Sequence, residues 1–305
     1  MRVSVMGQAP FGEAVLRRLV ADGVEIVGVS APPPVEGTRP DPLWATAESL
    51  GLPLLPTVGL KEAAGIEAWR ALEAELCVMA FVTDILPDEL FDLPTRGTIQ
   101  YHPSLLPLHR GSSAINWSVI NGDAETGLSI FWPDRGIDTG PILLQKRFAL
   151  EPDDTVGSIY FEKLFQAGVD AISESVSLVH AGKAPRTEQA HHLATYEPPC
   201  RDKHGEIRVY EPAERVYALI RGCNPQPGAW LLYEGKKLRI FDCRLTGSLE
   251  PGMPGRVVRI GDEGMDLRLN GGVLRVVRVQ AEGGKKIPAA EWAAAAGVAE
   301  GFRFR

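Results

Sequence analysis

Apolar residues along the chain switch between a period of two and a period near 3.6, and those switches outline a βα repeat. Residues 2–6 alternate as a short strand, and residues 13–21 carry apolar side chains at helical spacing. The glycine turn Gly7-Gln-Ala-Pro-Phe-Gly12 lies between them. A second strand is predicted at 24–29, helices near 41–50 and 61–72, a buried strand at 76–81 and another strand at 98–102. Strands separated by helices of this length predict an α/β fold with a mostly parallel, helix-covered sheet and right-handed crossovers. Ligands of such sheets sit beyond the carboxyl ends of the strands. Residues 81–87 and His102 fall there.

Further along, a helix near 113–121 ends at Asn121-Gly122, strands follow at 126–132 and 142–147, and Asp153-Asp154-Thr155 opens a long amphipathic helix reaching residue 182. From 183 to 203 the periodicity gives way to polar, proline-rich sequence, which is read as a linker. After it come a helix at 212–221 and β-type runs at 229–233, 237–245, 255–260, 265–269 and 272–279. Short strands with glycine turns and a flanking helix predict a small β-barrel-like domain of OB type. The expected domains are residues 1–203, linker included, and residues 204–305.

With 305 residues, 45% of them hydrophobic, the chain can bury a core in each domain. The opening Met-Arg-Val-Ser-Val-Met-Gly runs straight into a strand, and no apolar run approaches membrane-spanning length. A cytoplasmic protein without membrane contact is expected. The net charge of −7 divides unevenly, −11 over residues 1–203 and +4 over 204–305. The basic bias is read as solvated surface, and nucleic acid is disfavoured as a partner. Cys77, Cys200, Cys223 and Cys243 are scattered without zinc spacing, so they are expected as reduced bystanders and no metal is assigned.

The Gly7–Gly12 turn matches neither a dinucleotide fingerprint nor a P-loop, so it is read as a tight structural turn. His102 ends a strand and precedes Pro103, which forces extended geometry and breaks the ladder, so its imidazole can project into the crevice. Asp138 lies between Gly136 and Gly140 on a loop whose amides can approach a ligand. Taken singly, each has a structural explanation. As a pair, a carboxylate orienting an imidazole gives a group that moves protons near neutral pH, suited to attack on a carbonyl by a bound amine or water.

The run His102-Pro-Ser-Leu-Leu-Pro107, with Arg110-Gly111, Asn121-Gly122-Asp123 and Gly136-Ile-Asp138-Thr-Gly140, resembles the 10-formyltetrahydrofolate-dependent formyltransferase family. A finer resemblance joins Val5-Met-Gly-Gln-Ala-Pro-Phe-Gly12, Asp41-Pro-Leu43, the stretch from Tyr101 to Trp117, Ser129-Ile-Phe-Trp132 and Leu144-Gln-Lys146 to the N-terminal hydrolase domain of 10-formyltetrahydrofolate dehydrogenase. The resemblance implies a Rossmann-like sheet of formyltransferase type followed by the barrel-like domain. It implies 10-formyltetrahydrofolate as formyl donor, water or an amine as acceptor, and one-carbon metabolism as the setting. It assigns catalysis to His102 and Asp138. The pteridine would sit in a pocket formed largely by the backbone of residues 81–87, with Phe81, Val82, Thr83, Asp84, Ile85 and Leu86 as contacts, and by the 134–140 loop, with Asp134, Gly136 and Ile137. Transferases of the family carry an Asn two positions before the His. This chain has Gln100, a departure shared in kind by the hydrolase branch, and Gln100 is kept as a candidate catalytic group. The dehydrogenase regions of the longer relatives lie beyond the part resembled, so no NADP is implied. Trp117 and Trp132 are expected to pack in cores, and Arg110 either to line an anionic pocket or to sit on a surface loop.

Overall fold

The computed structural model describes residues 1–247 and 252–304, and the chain forms two compact units. The first comprises Met1–Ser112, Gly127–Phe148 and Phe161–Glu197, and the second Ser113–Thr126, Ala149–Tyr160 and Pro198–Arg305.

A seven-stranded sheet organises the first unit. Its strands are β1 (Arg2–Gly7), β2 (Glu25–Ala31), β3 (Leu54–Pro56), β4 (Leu76–Ala80), β5 (Thr98–His102), β6 (Glu125–Phe131) and β7 (Ile142–Ala149), in the order β3-β2-β1-β4-β5-β6-β7. The first five run parallel and β6 turns antiparallel to β5. The connecting helices are α1 (Ala9–Ala21), α2 (Pro42–Ser49), α3 (Ala63–Arg70) and the short α4 (Glu89–Asp92). β4 is buried at every position, as expected of a strand covered on both faces. The strand order reverses between β1 and β4, so the switch-point crevice opens beside the end of β4.

The glycine turn is shorter than its sequence suggests, because β1 runs through Gly7 and α1 begins at Ala9. Close packing explains Gly7, where a Cβ would stand 2.1 Å from the Ala80 carbonyl oxygen. The Ala9 N–H donates to Asp41 Oδ2 at 2.8 Å, while Asp41 Oδ1 accepts the Leu43 N–H at 2.9 Å and caps α2. The chain therefore supplies its own carboxylate at the start of α1.

The helix expected over 153–182 is broken into α6 (Val156–Ser158), a π-helical run Ile159–Leu164, and α7 (Phe165–His180). A helical apolar stripe continues through such a run, so the register change leaves no mark on the pattern. Phe11 of α1, Tyr101 of β5 and Phe165 of α7 meet at ring-centroid distances of 4.5 and 5.6 Å. Gly168 fits beneath them, since a Cβ there would lie 2.7 Å from the Tyr101 ring.

In the second unit, α5 (Ala114–Ile120) and α8 (Ala213–Gly222) accompany two antiparallel sheets. One has the order β10-β13-β12-β11 and the other β15-β14-β9-β8. The strands are β8 (Ala229–Tyr233), β9 (Lys236–Ile240), β10 (Cys243–Thr246), β11 (Val257–Gly261), β12 (Gly264–Leu269), β13 (Gly272–Val276), β14 (Arg278–Ala281) and β15 (Lys286–Pro288), followed by α9 (Ala289–Ala295). Both sheets feed one core containing Leu231, Leu238, Val257, Leu267, Leu274 and Val279. The runs expected as single strands at 237–245 and 272–279 each bend at a corner, near Asp242 and Val277, where the chain passes from one sheet to the other. The Val277 N–H donates to the Asp242 carbonyl and fixes that corner.

All four cysteines are free. Burial pushes the Cys77 and Cys243 thiols up to about 12, which leaves neither as a nucleophile near neutral pH. Among the described residues, no helix is long and apolar enough to cross a membrane, and no group of three His, Cys, Asp or Glu side chains is placed to hold a metal ion.

Candidate active site

His102 closes β5, and its backbone register pairs it with Ser129 of β6. Gln100 lies two residues earlier, so strand alternation places both on the face opposite Tyr101. His102 is 5% exposed and its Nε2 lies 2.9 Å from the His109 carbonyl oxygen. A carbonyl only accepts, so Nε2 carries the proton, and in the neutral ring Nδ1 presents a lone pair.

That lone pair faces Asp138. The distance from Nδ1 to Asp138 Oδ2 is 3.6 Å, and the two side chains are 6% and 10% exposed. This is longer than a direct hydrogen bond. Two fixed acceptors turned toward one another call for a proton or a proton donor shared between them. A hydrogen-bond-donating nucleophile meets that requirement, which is the arrangement a general base needs before attack.

Asp138 is held from several sides. The Gly111 N–H donates to Oδ2 at 2.8 Å. The backbone of Asp138 is left-handed, with φ of 55°, an uncommon conformation for a residue bearing a side chain. Gly140 must lack one, because a Cβ there would stand 1.8 Å from the Trp132 carbonyl oxygen. The Trp132 N–H donates to the Pro141 carbonyl at 2.9 Å and closes the base of this loop.

The two candidate ligand loops carry apolar surface at their tips. Phe81, with φ of 63°, follows β4 and is 45% exposed, while Ile85 and Ile137 are 84% and 61% exposed. Apolar side chains left in water at the end of a sheet suit a flat aromatic ligand. Arg135 lies 3.5 Å from Asp88, which brings the loop after β4 beside the one carrying Asp138. Thr83 accepts from Gln8 Nε2 at 3.1 Å, and Asp84 pairs with Lys61 at 2.7 Å, with Val82 between Phe81 and Thr83 partly buried against the core. The Leu86 side chain enters the core with Met79 and Leu90, which leaves its backbone for the expected ligand contact. Asp134 is occupied inside its own loop, accepting from the Gly136 N–H and the Thr139 hydroxyl.

Arg110 is buried, not on a surface loop. It is 2% exposed, with Nη1 donating to Tyr196 Oη at 2.5 Å and Nη2 lying 2.7 Å from Gln189 Oε1 and 3.0 Å from His191 Nδ1. The Tyr196 ring lies beneath the guanidinium at 5.1 Å. These partners come from the stretch read as a linker, whose residues up to Glu197 belong to the first unit. A buried polar network has no periodicity, so only the cluster of hydrogen-bonding residues there could have marked it. Trp132 packs in the first unit under the Arg186 guanidinium, and Trp117 packs in the second, donating to the Pro198 carbonyl.

A formyl transferase family model matches residues 1–176, and a model of the formyl transferase C-terminal domain matches residues 200–297. The chain is 40% identical over 306 residues to the cytosolic 10-formyltetrahydrofolate dehydrogenase of Xenopus laevis, covering 96% of this chain and 34% of that protein. It thus spans about a third of the length of that dehydrogenase. It is also 37% identical over 297 residues to the methionyl-tRNA formyltransferase of Moorella thermoacetica, covering 96% of this chain and 95% of that one. Among solved structures, HypX from Aquifex aeolicus in complex with tetrahydrofolic acid aligns with a TM-score of 0.70 at 17% identity, over 97% of this chain and 47% of that one. An N-formyltransferase from Helicobacter canadensis in complex with folinic acid and dTDP-3-aminofucose gives 0.69 at 15% identity, over 90% and 98%. These two likenesses are of fold. With its first 176 residues matched by the family model and a relative matched over nearly its whole length, the chain belongs to the formyltransferase family.

Proposed function

We propose that the chain is a 10-formyltetrahydrofolate hydrolase, releasing formate and tetrahydrofolate. The observation that carries this reading is the pair of acceptors, His102 Nδ1 and Asp138 Oδ2, fixed 3.6 Å apart in a nearly water-excluded corner. A water donating to both is oriented for attack on the formyl carbon. As its oxygen bonds to that carbon, His102 takes one proton at Nδ1, and Asp138 stabilises the imidazolium formed. The same proton then passes from His102 to the departing folate nitrogen as the carbon–nitrogen bond breaks. Phe81, Ile85 and Ile137 would meet the pteridine, and Gln100, on the same strand face as His102, would stand beside the formyl group. The identity to a dehydrogenase relative and the absence of Asn at position 100 support water as the acceptor.

A second reading keeps the residues and replaces water with an amine, and the near full-length match to a methionyl-tRNA formyltransferase favours it. Formate release from 10-formyltetrahydrofolate without any amine separates the two. The hydrolase reading expects turnover that His102→Ala and Asp138→Ala each cut about 10³-fold. Turnover that appears only on adding a sugar-nucleotide amine or methionyl-tRNA would replace it with the second, and a steep loss with salt would single out tRNA.

A further inference from the structure

We propose that Gln189 is a positioning residue that sets the Asp138 carboxylate against His102, and that the buried Arg110 guanidinium orients Gln189 for this task. The inference rests on the catalytic roles given above to His102 and Asp138.

Gln189 is 5% exposed, and each polar end of its amide is engaged. Nε2 donates to the Asp138 carbonyl at 2.9 Å and to the Gly140 carbonyl at 2.7 Å. Oε1 accepts from Arg110 Nη2 at 2.7 Å. The amide cannot be turned over, because that would set its oxygen against two carbonyls and its NH2 against a guanidinium. Arg110, charged at every relevant pH, therefore dictates which way the amide points.

The two carbonyls it holds are those of the loop that carries the left-handed Asp138. A side-chain-bearing residue stays in that region only when its surroundings impose it. Two hydrogen bonds from one buried amide, on either side of Thr139, impose it here. The opposite end of Asp138 is gripped by the neighbouring peptide, since the Gly111 N–H that meets Oδ2 belongs to the peptide bond linking Arg110 and Gly111. Arg110 thus acts on Asp138 twice, through its side chain and Gln189 on the backbone, and through its own peptide on the carboxylate. Gly111 completes the arrangement with φ of 109°, where a Cβ would stand 2.7 Å from the Glu197 carbonyl oxygen.

The guanidinium has no carboxylate among its partners, and its Nε is without a partner among the described residues. A buried cation held only by neutral groups is costly as pure structure. Orienting the amide that holds the loop gives it a functional reason to be there.

The test compares Gln189→Leu and Gln189→Glu with the native chain. Leu keeps the volume and removes all three hydrogen bonds. Glu keeps the acceptor for Arg110 and loses both donors, so it reports even if Leu fails to fold. Both are expected to lower kcat for formate release about 100-fold, the effect of a displaced catalytic group, with tetrahydrofolate affinity unchanged. In an Asp138→Ala background neither should lower kcat further. Amide exchange at Gly111, which needs no substrate, should be slow in the native chain and faster in both variants. Unchanged kcat with retained Gly111 protection, or losses that multiply with Asp138→Ala, would overturn the proposal. A native chain that releases no formate while Gly111 protection still depends on Gln189 would overturn the hydrolase reading and leave the clamp standing.

Discussion

The two units bury different things. The core of the second is almost wholly apolar, with Leu231, Leu238, Leu267, Leu274 and Val279 at 2% exposure or less, and its buried carboxylate Asp266 is paired with Arg275 at 2.8 Å. The first buries His102, His109, Arg110 and Gln189 at one end of its sheet. Burying such groups costs stability unless each is hydrogen-bonded, and here most of their polar atoms have a named partner within 3.0 Å. The difference falls where the catalytic pair is proposed. Where a fold departs from apolar packing and satisfies the departure bond by bond, function is the usual reason.

The comparison can be broken by exchanging the consequences of mutation between the units. The largest effect expected is on turnover. His102→Ala and Asp138→Ala should each cut formate release about 10³-fold, the scale of a lost general base, while leaving the thermal transition near that of the native chain. Retained turnover in either would move the chemistry elsewhere. In the second core, Leu267→Ala should cost about 2–5 kcal/mol of stability by leaving a cavity, read from denaturant unfolding followed by a Trp292 signal. Turnover per folded molecule should be unchanged. If activity fell in step with cavity volume, the division of labour between the units would be wrong.

A finer probe is Gln100→Asn, which shortens the side chain beside His102 by one methylene. A change in formate release of less than about tenfold is expected, one hydrogen bond's worth, with any gain in amine formylation measured alongside. The smallest effect belongs to the rim. Hydrogen bonds from Lys237 and Arg239 hold the Asp202 carboxyl below the usual aspartate range. A depressed folded value stabilises the protein above the unfolded pKa, and the contribution fades as pH falls through the folded one. Asp202→Asn should therefore cost under about 1 kcal/mol at pH 7, given the exposure of the pair. That cost should disappear well below about pH 3.9, as urea titrations at several pH values would show.

Four of the five parallel strands were legible because each is flanked by turns and followed by a helix of distinct period, whereas β3, three residues long, carries too short an alternation to be read. Thr98–His102 falls where alternation and Pro103 place it. The strand corners at Asp242 and Val277 were hidden because both halves of each run face one core, so the apolar alternation passes through the bend unbroken. His102 and Asp138, 36 positions apart, announce themselves as a strand end and a glycine-flanked turn; the chemistry of an imidazole beside a carboxylate suggested the pair, and the family resemblance assigned it catalysis. Gln189, His191 and Tyr196 left no trace, since hydrogen bonds to Arg110 fix them and an apolar pattern records only contact with a core.

The carboxylate of Asp41 at the start of α1 has one more implication. The first βα turn of a sheet of this order is where many relatives of the architecture seat a phosphate. Here a dissolved phosphate must compete with an anion tethered 2.8 Å from the Ala9 amide. The Ala9 amide is thereby engaged by the chain itself and not left open to a phosphate. A phosphorylated acceptor would need to find its anchor elsewhere on the chain.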